Sequence, residues 1–228
     1  MTSTFQKVEP VSKKARVVAS VKEAILNGLV QSGEQIVEAK IAQQFGVGQG
    51  LIREALIELE HQGFVQRTPF SGTQVTTLSM EDAQQIFDLR IELEPLAFLL
   101  AGQRGTSEQL RELDVLAAGA KDAVLKQDID RFFDCHLAFR KKVWELSRNR
   151  YLQQSLERVV IPLYALYLIR RPYNRDGLQL TVVECIEHQD KILMAYQAGE
   201  FEQARSVARD FLIKMKEYLG TRLIPTAP

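Results

Sequence analysis

Residues 36–63, IVEAKIAQQFGVGQGLIREALIELEHQG, constrain the chain more than any other stretch. Ile41, Ala42 and Phe45 recur at helical spacing on one side of the short turn Gly46-Val47-Gly48, and Ile52, Ala55, Leu56 and Leu59 do so on the other. Gly46 falls where a helix end needs a left-handed backbone, and Gly63 closes the second segment in the same way. Helix, glycine turn, helix is the unit that lays a second helix in the DNA major groove. With the second stripe packed inward, Gln49 and Arg53 share the opposite face, four residues apart. Those side-chain types make paired hydrogen bonds with adenine and guanine edges respectively, so the second segment reads as a recognition helix.

The neighbouring segments extend this unit. Val18, Val21 and Ile25 mark a helix face between Arg16 and Gly28, and QSGEQIVE reads as a turn leading into the helix pair. After Gly63 the period shortens. Phe64–Thr68 and Thr73–Thr77 are strand-like runs joined by the four-residue turn Pro69-Phe70-Ser71-Gly72. The pattern predicts a winged helix-turn-helix over 11–78, preceded by a polar arm at 1–10, with the wing tip at Ser71-Gly72. Lys40, Arg67 and Thr73 join Gln49, Arg53, Ser71 and Gly72 as candidate DNA contacts.

From Ser79, a candidate N-cap followed by the first-turn acid Asp82, no strand-like run appears. Helical patterns run over roughly 80–103, 107–126, 128–147, 149–171, 178–198 and 200–220, punctuated by Gly105, Asn149, Gly177 and Gly199. The expected fold is mainly α, with an all-helical bundle of about six helices over 79–228 and room in it for an internal pocket. The apolar run Val159 to Ile169 is broken by Pro162 and bracketed by Arg158 and Arg170, short of the roughly 20 residues a membrane helix needs. It reads as a core helix.

Other bounds narrow the function classes. Cys135 and Cys185 are the only cysteines, too few for a disulfide framework, and the start MTSTFQKVEP has no apolar signal region. A cytoplasmic protein with no membrane partner is expected. The formal charge balance is zero overall, and residues 1–78 carry eight Lys and Arg against seven Glu. The basic footprint is therefore weak, and the DNA-binding expectation rests on architecture, with a dimer doubling the phosphate contacts. Gly46-x-Gly48-x-Gly50 lacks the strand context and third-glycine spacing of a dinucleotide fingerprint. Cys135-His136 and Cys185-x-x-His188 lie mid-helix rather than at zinc-knuckle spacing. No nucleophile–base arrangement, metal triad or phosphate loop points to an enzyme, although an enzyme with a winged-helix targeting module is the competing class.

These residues resemble the GntR family of bacterial transcription regulators. The resemblance runs through Gly46-Val47, Arg53-Glu54-Ala55-Leu56, Gly63 and Ser71-Gly72-Thr73-Gln74-Val75, with Gly33-Glu34 and Glu38 upstream. The helical half is similar to the FCD effector domain of the FadR-type branch, through Arg90-x-x-x-Glu94, Glu187-His188 and Gly199-Glu200. The resemblance implies a homodimeric, ligand-responsive repressor on a palindromic operator, dimerised through the helical domain. This chain departs from the family at Gly48 and Gln49, which stand where Ser and Arg are usual, so adenine reading is expected at Gln49.

The resemblance also implies a pocket. Many FCD domains hold a divalent metal through an Asp, a His four residues later and two further His; here those positions are His136, Arg140, His188 and Phe211. Arg140 suits a carboxylate better than a metal, because a guanidinium donates two parallel charge-assisted hydrogen bonds. The expected effector is an anion bound without metal or other cofactor by Arg140, His136 and His188, with Arg90 a second cation and Tyr167 a further candidate. A metal-dependent regulator of the same family is the alternative. His188 also reads as a core histidine, and Tyr164, Tyr167 and Tyr173 as core or dimer contacts.

Overall fold

The computed structural model describes residues 12–68, 72–170 and 175–218, the side chains of 166–181 excepted. The arm at 1–10, Ser71 and Tyr173, and the side chain of Tyr167, lie outside the described residues. The chain divides into two compact units, Met1–Thr77 and Leu78–Pro228.

The first unit begins with α1 (Lys13–Leu26), capped by Ser12, whose hydroxyl accepts from the Ala15 amide at 3.1 Å. Val17, Val18, Val21 and Ile25 are its buried face. A two-residue strand β1 (Gln35–Ile36) leads to α2 (Glu38–Phe45), which Gly46 ends at φ 62°, a left-handed conformation that costs glycine nothing. Next come α3 (Gln49–His61), β2 (Val65–Thr68) and β3 (Gly72–Val75). The stripe Ile52, Ala55, Leu56 and Leu59 is buried as its spacing predicts. In α2 only Ala42 is buried and Phe45 remains 38% exposed, so the apolar face expected there is largely open.

Three antiparallel strands form the sheet, in the order β1-β3-β2, where the sequence reading expects a two-stranded hairpin. Ile36 pairs with Thr73 and Gln35 with Gln74, which turns the expected QSGEQIVE turn into an edge strand. Two residues are too short to show an alternating pattern in a sequence. Gly72 pairs with Thr68 and belongs to β3, so three residues, not four, link the wing strands.

The second unit is a helical bundle. Its helices are α4 (Met80–Arg104), α5 (Ser107–Leu125), α6 (Ile129–Leu146), α7 (Arg150–Arg170), α8 (Arg175–Ala198) and α9 (Phe201–Tyr218). Ser79 and Asp82 form a reciprocal capping box at the start of α4, and Thr106 with Gln109 does so at α5. The central helix is α4, which packs against α6, α7 and α9. Its buried stripe includes Ala83, Phe87, Ala97, Phe98 and Ala101, and carries two charged residues, Arg90 and Glu94, into the core. The stripe of α6 does the same with His136 and Arg140 among Phe132, Phe139, Val143 and Trp144. Val160, Leu163 and Tyr164 of α7 are buried as the core reading of 159–169 expects, and no helix among the described residues is long and apolar enough to cross a membrane.

Close approach of α4 to the start of α9 depends on Gly102. A Cβ there would lie 2.8 Å from Cγ of the half-buried Phe201, at the root of the ring, where relief requires the first turn of α9 to shift. Gly102→Ala is expected to destabilise the protein by about 1–3 kcal/mol despite alanine's better helix propensity. Urea unfolding followed by circular dichroism checks this, and an unchanged or raised midpoint would contradict it.

Candidate functional site

On the first unit, the solvent-facing side of α3 carries Gln49 and Arg53, both exposed, with Lys40 on α2 and Arg67 on β2 also exposed. Gly48 occupies the N-cap of α3 with extended backbone and no side-chain cap. Arg53 is not free. Its Nη2 and Nε donate to Glu38 Oε2 at 2.9 and 3.2 Å, an edge-on ion pair between α3 and α2. That pair uses the Nε–Nη2 edge of the guanidinium and leaves its Nη1–Nη2 end free to donate. Thr73 departs from expectation: its side chain is 5% exposed, because inward and outward positions alternate along β3 and Thr73 takes an inward one. Gly72 is exposed beside the wing tip.

The second unit gathers Arg90, His136, Arg140 and His188 in its interior, each 4% exposed or less. Glu94, fully buried one turn after Arg90, joins them. Its Oε2 accepts from Arg90 Nε at 3.3 Å, Arg90 Nη2 at 3.2 Å and Arg140 Nη1 at 2.8 Å, so one carboxylate oxygen holds two guanidinium groups, one on its own helix and one on α6. Arg140 Nε donates to His136 Nε2 at 3.4 Å. Phe211 stacks on the His188 ring at 4.2 Å and lies 5.5 Å from the Arg140 guanidinium carbon. His136 is sandwiched by Phe132 at 5.6 Å and Tyr164 at 5.8 Å.

Burial and charge fix the protonation states. Burial foremost, then Arg140 and its neighbours, holds both His136 and His188 well below the ordinary imidazole value, so both rings are neutral. Burial is the largest influence on the Arg140 guanidinium and lowers it, but the Glu94 charge and hydrogen bond together with Tyr164 and Cys185 outweigh it, and the net shift is upward. Burial pushes the Cys185 thiol up to about 12, an inert state for a metal ligand or nucleophile. Two cations and one carboxylate leave the cluster with one uncompensated positive charge. Arg140 Nη2, Glu94 Oε1, His136 Nδ1 and both His188 nitrogens are buried with no hydrogen-bond partner among the described residues. Buried polar atoms without partners carry a desolvation cost.

Sequence reasoning missed Glu94 as a site residue, although its four-residue spacing from Arg90 was visible. It also missed Gln189, fully buried with both amide atoms unpartnered among the described residues, for which no sequence signal exists. A cleft of about 200 Å³ between α8 and α9 is lined by Glu184, Glu187, Lys191, Lys214 and the two inner rings His188 and Phe211. His188 and Phe211 thus lie between this cleft and the arginine cluster.

The four positions that resemble a metal site do converge, but their chemistry does not suit a divalent cation. One is a guanidinium held cationic, one a phenyl ring, and the two imidazoles are separated by them. Among the described residues, no group of three His, Cys, Asp or Glu is placed to hold a metal.

The buried imidazoles make stability depend on pH. The folded values lie below the unfolded value of 6.5, so the stabilisation they contribute is complete above that pH and is lost as the pH falls, because only the unfolded chain then takes up protons. Between about pH 7.5 and 5.5 a loss of roughly 2–3 kcal/mol is expected from the pair, with His188→Phe removing about half of the dependence. Urea midpoints across that range measure it, and a flat wild-type profile would refute it.

Comparison with known proteins places both units. Residues 13–75 match the family described as bacterial regulatory proteins, gntR family, and residues 85–213 match the FCD domain. YdhC of Bacillus subtilis, an uncharacterized HTH-type transcriptional regulator, is 30% identical over 156 residues, 68% of this chain and 70% of its own. The gluconate operon transcriptional repressor of Bacillus licheniformis is 26% identical over 62% of this chain and 58% of its own length. The solved structure of Escherichia coli McbR/YncC covers 92% of this chain and 98% of its own with a TM-score of 0.69 and 22% identity, a likeness of fold. The chain belongs to the gntR family of bacterial regulatory proteins, a transcriptional regulator with an FCD domain as its second unit.

Proposed function

We propose that this regulator is a homodimeric repressor that leaves a palindromic operator when an anionic metabolite enters the Arg90–Glu94–Arg140 cluster. One observation carries the reading: Arg140 Nη2 is buried without a partner among the described residues, in a cluster with one positive charge in excess. An incoming carboxylate would relieve both at once, through a charge-assisted hydrogen bond in a water-poor interior. Repression is supported by the relative named as a gluconate operon transcriptional repressor.

On the DNA side, Gln49 reads an adenine, the free Nη1–Nη2 end of Arg53 reads a guanine, and Lys40 and Arg67 contact phosphates. The wing residues Ser71 and Gly72 lie along the backbone, with Thr73 contributing through its main chain at most. Linkage between the sites need be only about 1–3 kcal/mol to clear the operator. Arg90, Arg140, His136 and His188 would contact the anion.

An electrophoretic shift with the DNA upstream of the protein's own gene tests the reading. Carboxylates from a panel of acetate, lactate, gluconate and glutamate should release retarded DNA, and Arg140→Met should still bind DNA while losing that release. Release undiminished in Arg140→Met would sink the anion site, and an unretarded probe would sink the operator assignment. Gln49→Ala should cost about 1–3 kcal/mol at a single half-site position and leave the others unchanged. A binding-site selection checks that, and an unaltered consensus would contradict it.

A further inference from the structure

Arg53 and Glu38 meet along one edge only. Glu38 is the first residue of α2, where a helix N-terminus favours a carboxylate, and its side chain is 23% exposed against 57% for Arg53. Glu38 Oε2 accepts from Arg53 Nη2 at 2.9 Å and from Nε at 3.2 Å, and Oε1 lies 3.5 Å from Nε. A guanidinium is a rigid planar fork, so fixing this edge fixes the direction in which the other end points. That end presents one donor on Nη1 and one on Nη2 side by side, the pair that guanine O6 and N7 accept.

The ion pair acts on the base-reading group in two ways. It removes, before any DNA arrives, rotamer freedom that a long side chain otherwise loses on binding. It also balances the charge. Without Glu38, Arg53 would be a mobile cation that any phosphate attracts, whatever the base sequence. With Glu38 the pair is neutral, and what the free end offers DNA is direction. The effect is large in a unit this weakly basic. Residues 1–78 carry eight Lys and Arg against seven Glu, a net of +1, and loss of the Glu38 charge would make it eight against six, a net of +2. An exposed pair contributes little to stability, so holding the fold together does not account for this contact.

We propose that Glu38 determines operator specificity as a positioning residue, aiming Arg53 at a guanine and holding it off the phosphates. This rests on the reading of Arg53 as a guanine reader given above and extends it: Glu38 lowers affinity for DNA of any sequence and raises discrimination at one base. Gln49, exposed on the same face of α3, is no part of the pair, so its adenine is read independently of Glu38.

Binding-site selection from a random-sequence duplex library tests this with full-length wild type, Glu38→Ala and Arg53→Met. Fluorescence anisotropy then measures each protein on the selected duplex, its single-base variants and a scrambled duplex over a range of salt. Wild type should prefer guanine at the Arg53 position by about tenfold or more. Glu38→Ala should bring that preference to within about threefold and leave the adenine preference unchanged. It should also bind the scrambled duplex more tightly than wild type, with a log–log salt slope steeper by about one per recognition helix. Should Glu38→Ala fail to fold, Glu38→Gln, which keeps a neutral acceptor at the helix start, should show a smaller change in the same direction. A guanine preference intact in Glu38→Ala overturns the inference. So does an equal loss at both base positions with no gain on scrambled DNA, the mark of a merely structural role. A wild-type motif without a guanine that Arg53→Met removes overturns instead the base reading beneath it.

Discussion

A single carboxylate oxygen, Glu94 Oε2, joins α4 to α6 through Arg140 and takes Arg90 of its own helix as a second partner, and the interior of the helical unit is arranged about it. Two guanidinium groups in a core are tolerable only when countercharged, since removing one partner of a buried pair typically costs about 3–5 kcal/mol. The surrounding Phe132, Phe139, Phe211 and Trp144 exclude the water that would otherwise screen them. That same exclusion keeps His136 and His188 neutral and makes the unbalanced charge count. The cation at this centre is carried covalently, on a side chain that cannot dissociate.

The DNA-binding unit uses the same device on its surface. Arg53 is pinned by Glu38 across α2 and α3, which fixes the angle between the two helices but withdraws one edge of the guanidinium from solvent. An exposed pair of this kind contributes little stability. Its effect is orientation, and it leaves the other end of the Arg53 guanidinium exposed on the same face of α3 as Gln49.

The fold was legible because helices of this length announce themselves by period. Ile52, Ala55, Leu56 and Leu59 lie inward as their spacing requires, and Ser79 and Asp82 cap α4 as their types suggest. The two-residue strand β1 was not legible, because pairing with Gln74 and Thr73 is a non-local event that no local pattern encodes. Phe45 read as core and is partly exposed, since periodicity gives a face but not whether anything covers it. In the site, resemblance brought His136, Arg140, His188 and Phe211 together, and the structure makes them neighbours. Glu94 escaped notice because an i, i+4 Arg–Glu pair is usually a surface feature. Only the packing of α4 on three helices turns that pair inward, and only atomic geometry shows one oxygen saturated and the other bare.

The short strand β1 has a consequence for how such a chain can change. Ile36 is buried while its neighbours Gln35 and Val37 are exposed, and α2 starts at Glu38, immediately beyond. Side chains in a strand alternate, so adding or deleting one residue between Gly33 and Glu38 would carry Ile36 to the solvent face and rotate the start of α2 with it. Glu38 would then leave Arg53. The segment before α2 is thus a ruler that tolerates substitution and not length change.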